Sequence, residues 1–215
     1  MAWGLTALAV VAFLLLANVL VETGALQCPG ITIVSRNSWG ARPPRVEVAM
    51  KDPRAEHVFI HHTTGPQCKH KTSCIRLVRS QQKHHMDTNR WPDISYNFLV
   101  GGDGLVYEGR GFGREGAHTH GYNRVGIAIA FVGDYNRAKP SQRMLLAAKR
   151  LISCGVRQGM IRKGYSLHGH RDANCTTCPG NVLYDIIKTW ANFKGKLGRF
   201  LCLGGSSVSD LPKHQ

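Results

Sequence analysis

Acidic side chains are scarce in this sequence. Thirteen aspartates and glutamates face 28 lysines and arginines over 215 residues, leaving a formal charge of +15. Such an excess fits polyanions or anionic surfaces as partners, although the solubility of an exported protein accounts for the same charge equally well. Nucleic acid is the usual polyanion, but the sequence has no recognition helix, zinc-finger spacing or aromatic platform, and no nucleic-acid partner is expected. It also lacks an internal repeat, which excludes solenoids and propellers. A His-Glu-x-x-His motif is missing too, so there is no glutamate general base of that metalloprotease type. The length and a 43% hydrophobic content suit one domain with a real core rather than two.

Leu5 to Val21 is nearly all apolar, and Thr23 and Ala25 place small residues where a signal peptidase cuts. Residues 1–25 therefore read as a cleaved secretory signal, and the chain as secreted, extracellular and without stable membrane insertion. No lysine or arginine precedes the run, and a retained anchor is the alternative. Cleavage would remove only Glu22 among charged residues, leaving the mature chain slightly more basic. Seven cysteines in an exported chain point to disulfides, and the odd number leaves at least one for other work. The expected organisation is a domain over 26–195 and a flexible tail over 196–215, polar and without a core face from Gly204 onward.

Ile31 to Trp39 and Ala41 to Pro44 read as an extended leading segment, because Pro43 and Pro44 forbid helix. His57 to His62 is short, apolar and bounded by turn residues, as a buried central strand would be. After a small loop from Cys68 to Cys74, Ile75, Val78, Gln82 and His85 or Met86 recur at helical spacing, giving a helix over Ile75–Met86. Tyr96–Val100 and Leu105–Glu108, joined by Gly101-Gly102-Asp103-Gly104, form a hairpin. Gly126–Val132 is a second buried strand. Pro140 and Ser141 open an amphipathic helix with Leu145, Ala148, Leu151 and Ile152 on one face, ending near Gly159. Ser166–His170 is a short strand. A last helix runs from Asn181 to Trp190, with Leu183, Ile186, Ile187 and Trp190 inward. The fold class is α/β: a central mixed β-sheet flanked by three helices.

The chemistry concentrates in Leu167–Gly180, LHGHRDANCTTCPG, which crowds His168, His170, Cys175 and Cys178 before a helix. Zinc takes nitrogen and sulfur ligands, and a catalytic zinc keeps three of them with a fourth position open. A further ligand can come from His61-His62, where strand alternation lets only one of the two face the site. Each residue also has a plainer role: a strand-end histidine satisfied by hydrogen bonds, or cysteines in structural disulfides. A redox Cys-x-x-Cys is disfavoured without a thioredoxin-like start. A closed four-ligand structural zinc, drawing in His168 or Cys175, is a further alternative.

The runs ITIVSRNSWGARPP, VFIHHTTGPQC, HHMDTNRWPDISYNFLVGGDGLVYEGRG, GAHTHGYNRVGIAIAFVGDY and LHGHRDANCTTCPGN, in order from Ile31 to Trp190, resemble the animal peptidoglycan recognition proteins, relatives of the phage amidase lysozymes. The resemblance implies the amidase/peptidoglycan recognition protein fold. It also implies Zn2+ held by His61, His170 and Cys178, with Tyr96 as catalytic tyrosine and Thr176, two before the cysteine, orienting water or substrate. Members with serine in place of Cys178 look like pure receptors. The groove wall implied by similarity includes His62, His85, Trp91, Tyr96, Arg110, Gly113, His118 and Asn123. Arg110 and Gly113 fit a preference for diaminopimelate-type stem peptides, while Arg114 departs from the usual pattern.

The family normally bridges Cys68 to Cys74, and short members bridge Cys28 to Cys154. With Cys178 on zinc, Cys175 and Cys202 remain and can pair, whereas a Cys175–Cys178 bridge would remove the metal thiolate. The implied function is that of a secreted innate-immunity protein. It would bind bacterial peptidoglycan and muropeptides, with other anionic bacterial surface polymers as further partners. It would hydrolyse the amide between N-acetylmuramic acid and L-alanine with zinc-activated water, as a monomer. The alternative is a non-catalytic receptor or bactericidal binding protein.

Overall fold

A computed structural model describes residues 28–202. The signal expected over 1–25 and the end of the tail from 203 lie outside these residues. Six strands make one sheet: β1 (Ile33–Val34), β2 (Ala55–His62), β3 (Phe98–Val100), β4 (Val106–Glu108), β5 (Gly126–Phe131) and β6 (Ile161–Gly169). Their order is β1-β4-β3-β5-β2-β6. The hairpin pair β3–β4 is antiparallel and every other pairing is parallel, so the sheet is mixed. The helices are α1 (Arg36–Trp39), α2 (Lys71–Lys83), α3 (Gln142–Arg157) and α4 (Asn181–Ile187). The three expected helices flank the sheet, with one short helical turn added.

The central position of β5 explains its sequence. Gly126–Phe131 has neighbours on both edges and cover on both faces, so all six residues are buried and the run is apolar throughout. On β2, Val58 and Ile60 pack with Ile127, Ile129 and Phe131 beneath α3 and α4, together with Leu151, Leu183 and Trp190. The opposite face of the sheet packs Leu99, Tyr107 and Ala130 against Trp39 of α1 and Cys74 and Val78 of α2. Helices thus cover both faces, and the alternation of β2 sends neighbouring residues to opposite layers.

Several boundaries differ from the sequence reading. The leading segment is strand only at Ile33–Val34, after which Ser35 caps a turn of helix by accepting a hydrogen bond from Ser38 N–H, and Gly40 ends it in the left-handed region at φ 69°. The two prolines act only beyond that turn. α2 starts four residues before Ile75 and takes in Cys74, then widens into a turn over His84–Thr88, closed by Asn89 N–H on His84 O at 3.2 Å. β6 starts five residues before Ser166, in a stretch whose exposed Arg162, Lys163 and Gly164 carry no apolar signal.

Disulfides join Cys28 to Cys154, Cys68 to Cys74 and Cys175 to Cys202. Residues 196–202, assigned to the tail from sequence, are tied down. Leu197 N–H donates to Asp172 O, Leu201 N–H donates to Ala173 O, and Tyr122 Oη donates to Arg199 O. Backbone partners and a covalent link hold a segment whose own side chains offer little core. No helix among the described residues is long and apolar enough to cross a membrane.

Candidate metal centre and groove

Parallel β2 and β6 bring their carboxyl ends to one edge of the sheet, the usual place for a ligand in an α/β sheet. His61 leaves the end of β2 on the α2 side, and His170 follows the end of β6. The chain then loops through Cys178 to the N-terminus of α4. Ligand atoms of His61, His170 and Cys178 all lie within 4.8 Å of one another. Cys178 is the free, buried cysteine among the described residues, its sulfur 3.6 Å from His61 Nδ1. Zinc–sulfur and zinc–nitrogen bonds of about 2.3 and 2.05 Å at a tetrahedral angle separate their atoms by about 3.6 Å. The donor set and its spacing therefore fit zinc.

The second nitrogen of each histidine is occupied. His61 Nε2 lies 3.2 Å from Thr119 Oγ1, and His170 Nε2 lies 3.1 Å from Asn174 Oδ1. Both Nδ1 atoms are thereby left for a metal, the outer-shell arrangement that fixes ring orientation and tautomer. Burial and the neighbouring imidazoles push His61 well below the usual histidine range, and burial pushes His170 down to about 4. Both rings are thus neutral and carry lone pairs at physiological pH. Burial pushes the Cys178 thiol up to about 12, so without a metal it keeps its proton. The backbone N–H of His62 points at Cys178 Sγ from 3.5 Å, and Thr176 Oγ1 accepts from Cys178 N–H at 3.2 Å. Thr176 itself is exposed beside the cysteine it steadies. At Gly180 φ is +91° and an added Cβ would meet the Tyr135 backbone at 2.4 Å, so glycine alone lets the loop turn into α4.

Aromatic rings extend from this cluster. Tyr96 lies 5.5 Å from the His61 ring, His85 lies 5.6 Å from Tyr96, and Trp91 lies 5.1 Å from His85. His85 is fixed by Ser95 N–H on its Nδ1, and burial lowers its pKa to about 4. Gly109 lets the backbone pass so close to Tyr96 O that a Cβ would sit 2.2 Å from it. On the other side His118 stands 5.4 Å from His61, with Nδ1 2.9 Å from Thr119 Oγ1. Its Nε2 is buried with no hydrogen-bond partner of good geometry among the described residues. Asn123 holds this loop by accepting from the N–H groups of His118 and Thr119, both at 2.9 Å.

The remaining residues expected along the groove have partners of their own. The His62 ring turns to the opposite face of β2, where Nδ1 accepts from Tyr135 N–H at 3.2 Å, as strand alternation requires once His61 faces the cluster. Gly113 backs onto Pro53 and its carbonyl accepts from Met50 N–H. Arg110 donates to Ile94 O and Glu115 O in a side cleft lined also by Arg36, Asp93 and Arg114, and its buried Nη2 has no hydrogen-bond partner among the described residues. Thr119 and Asn174, which orient the two histidines, were not singled out from sequence. Only their place at fixed distance from a ligand imidazole marks them.

Residues 51–181 match the family model described as N-acetylmuramoyl-L-alanine amidase. Peptidoglycan-recognition protein SC2 of Drosophila simulans is 43% identical over 165 residues, covering 77% of this chain and 89% of that protein. The chain belongs to the peptidoglycan recognition protein family of amidases. The human N-acetylmuramoyl-L-alanine amidase is also 43% identical, over 78% of this chain and 29% of that longer protein. Among solved structures of the family, Drosophila PGRP-LB superposes with a TM-score of 0.76 at 38% identity, covering 78% of this chain and 99% of its own. A mutant of that protein has been solved in complex with tracheal cytotoxin, with a TM-score of 0.74 at 39% identity, covering 75% and 96%. The amidase/peptidoglycan recognition protein fold expected from the sequence is thus the one observed.

Proposed function

We propose that this protein is a secreted zinc amidase that cleaves the bond between N-acetylmuramic acid and the L-alanine of the peptidoglycan stem peptide. The observation that carries this reading is the complete donor triad His61, His170 and Cys178, each member held by a separate hydrogen bond, with Tyr96 beside it. When bound, zinc supplies Lewis acidity that lowers the pKa of a water to about 7 and polarises a carbonyl.

The remaining steps belong to the chain. Burial pushes the Tyr96 phenol above its usual range, which keeps it protonated at neutral pH and able to donate to the scissile carbonyl oxygen. One such donor is worth about 3 kcal/mol as negative charge develops. Trp91 and His85 offer flat surfaces for sugar or peptide, and His118 stands on the other side of His61. Thr176 steadies the cysteine loop. Peptidoglycan and muropeptides are the proposed partners, and the paired cysteines suit an oxidising, extracellular compartment.

A non-catalytic receptor is the competing reading, and Cys178 weighs against it. Released stem peptide should be measured with zinc, with chelator, and for Cys178→Ser. Release that disappears in the last two conditions is expected. Peptidoglycan binding without release in every condition would leave a receptor.

A further inference from the structure

Asn174 sits at the junction of the metal loop and residues 196–202. Its Oδ1 lies 3.1 Å from His170 Nε2, while its Nδ2 lies 2.9 Å from Ala173 O, 3.1 Å from Leu201 O and 3.4 Å from His120 O. Carbonyl oxygens only accept, so three of them around one end of the amide fix that end as the NH2 group. The other end is then an acceptor, and it can bond His170 only if Nε2 carries the proton. That leaves the Nδ1 lone pair of His170 for a metal. A flipped amide would offer N–H to Nε2 and stabilise the opposite tautomer, with the proton on the ligating atom.

The Leu201 carbonyl reaches Asn174 because the C-terminal segment is clamped. Leu201 pairs with Asn174 in a short parallel bridge and donates to Ala173 O at 2.8 Å. Leu197 N–H donates to Asp172 O at 3.0 Å, and Cys202 is joined to Cys175, the residue after Asn174. This disulfide also keeps Cys175 from pairing with Cys178, which stays a free thiol.

We infer that Asn174 is a positioning residue that sets the tautomer of the metal ligand His170, and that residues 196–202 clamp its amide in the required orientation. The inference rests on the zinc reading of the triad and deepens it. Loss of an outer-shell partner of this kind typically weakens metal binding by about 10 to 100-fold.

The test uses the full mature chain and zinc itself. Zinc affinity is measured by chelator competition for wild type, Asn174→Leu and the double variant Cys175→Ser/Cys202→Ser, with near-ultraviolet circular dichroism to check each fold. Imidazole 15N shifts of the zinc-free wild type report the His170 tautomer. Expected results are a proton on His170 Nε2 and a roughly 10 to 100-fold loss for Asn174→Leu. A smaller loss is expected for the double variant Cys175→Ser/Cys202→Ser, whose loosened clamp lets the amide turn and which leaves no thiol beside Cys178 to pair with it. Should Asn174→Leu fail to fold, the tautomer and the affinity of Cys175→Ser/Cys202→Ser decide. Unchanged affinity in Asn174→Leu and in Cys175→Ser/Cys202→Ser, or a wild-type proton on Nδ1, would overturn the inference while the amidase reading stood. A wild type that does not bind zinc at all would overturn both.

Discussion

A buried thiol between two neutral imidazoles sets how this site meets a metal. Cys178 holds its proton up to about 12, while His170 gives its proton up above about 4. Between pH 6 and 8 zinc must therefore displace one proton, from sulfur, and its affinity should rise about tenfold per pH unit. Titration with zinc in a competing chelator at several pH values checks this, and a flat profile would mean that the thiolate is not a ligand. Tyr96 makes a different prediction. Tyr96→Phe removes a hydroxyl whose proposed bond strengthens as charge develops, so turnover should fall about 100-fold or more while peptidoglycan affinity stays within about threefold. An equal loss of both would mark Tyr96 as a binding residue only. At this scale the sequence was informative where a residue type is rare and chemically committed: two histidines and a cysteine near a helix start are few enough to notice. Thr119 and Asn174 were invisible, because threonine and asparagine are common and their roles come from where the chain path sets them.

The carboxyl ends of β2 and β6 and the turn before α4 hold the triad, so the elements matter through their ends. α3 covers one face of the sheet, and its start is fixed by Ser141, whose side chain accepts from Met144 N–H. Ser141→Ala should cost about 1 kcal/mol of stability with little effect on zinc affinity, measurable by chemical denaturation. A fall in zinc affinity would show that the two sheet faces are coupled. Element identity was legible where burial imposes a period. Leu145, Ala148, Leu151 and Ile152 of α3 are all buried, as the apolar face required. Boundaries were less legible. In the first half of β6, an edge strand, only Ile161 pairs with β2; residues 162–165 fall in the register shift between Ala55 and His57, and their exposed polar side chains leave no hydropathy pattern to mark a strand.

Across the whole molecule, the Cys28–Cys154 disulfide spans 126 residues and so constrains much of the unfolded chain. Replacing both by alanine should lower stability by about 4 kcal/mol in denaturant titrations, since loop-closure entropy grows with loop length. A change under about 1 kcal/mol would mean that the unfolded chain is already compact there. What the sequence by itself determined is the local and the chemical: apolar runs that must be buried, the hairpin at Gly101–Gly104, the helix started at Ser141, and the family resemblance that picked out His61, His170 and Cys178. These follow from residue type and from spacing along the chain. Only the tertiary structure decided that the His62 ring turns to the opposite face of β2 to accept from Tyr135 N–H, and that Cys175 pairs with Cys202 rather than with Cys178. It also decided that residues 196–202 pack against the loop after His170 and that Arg110 lines a side cleft. Those outcomes depend on distances between residues remote in sequence, fixed by strand order, sheet face and loop path, which a linear pattern does not encode.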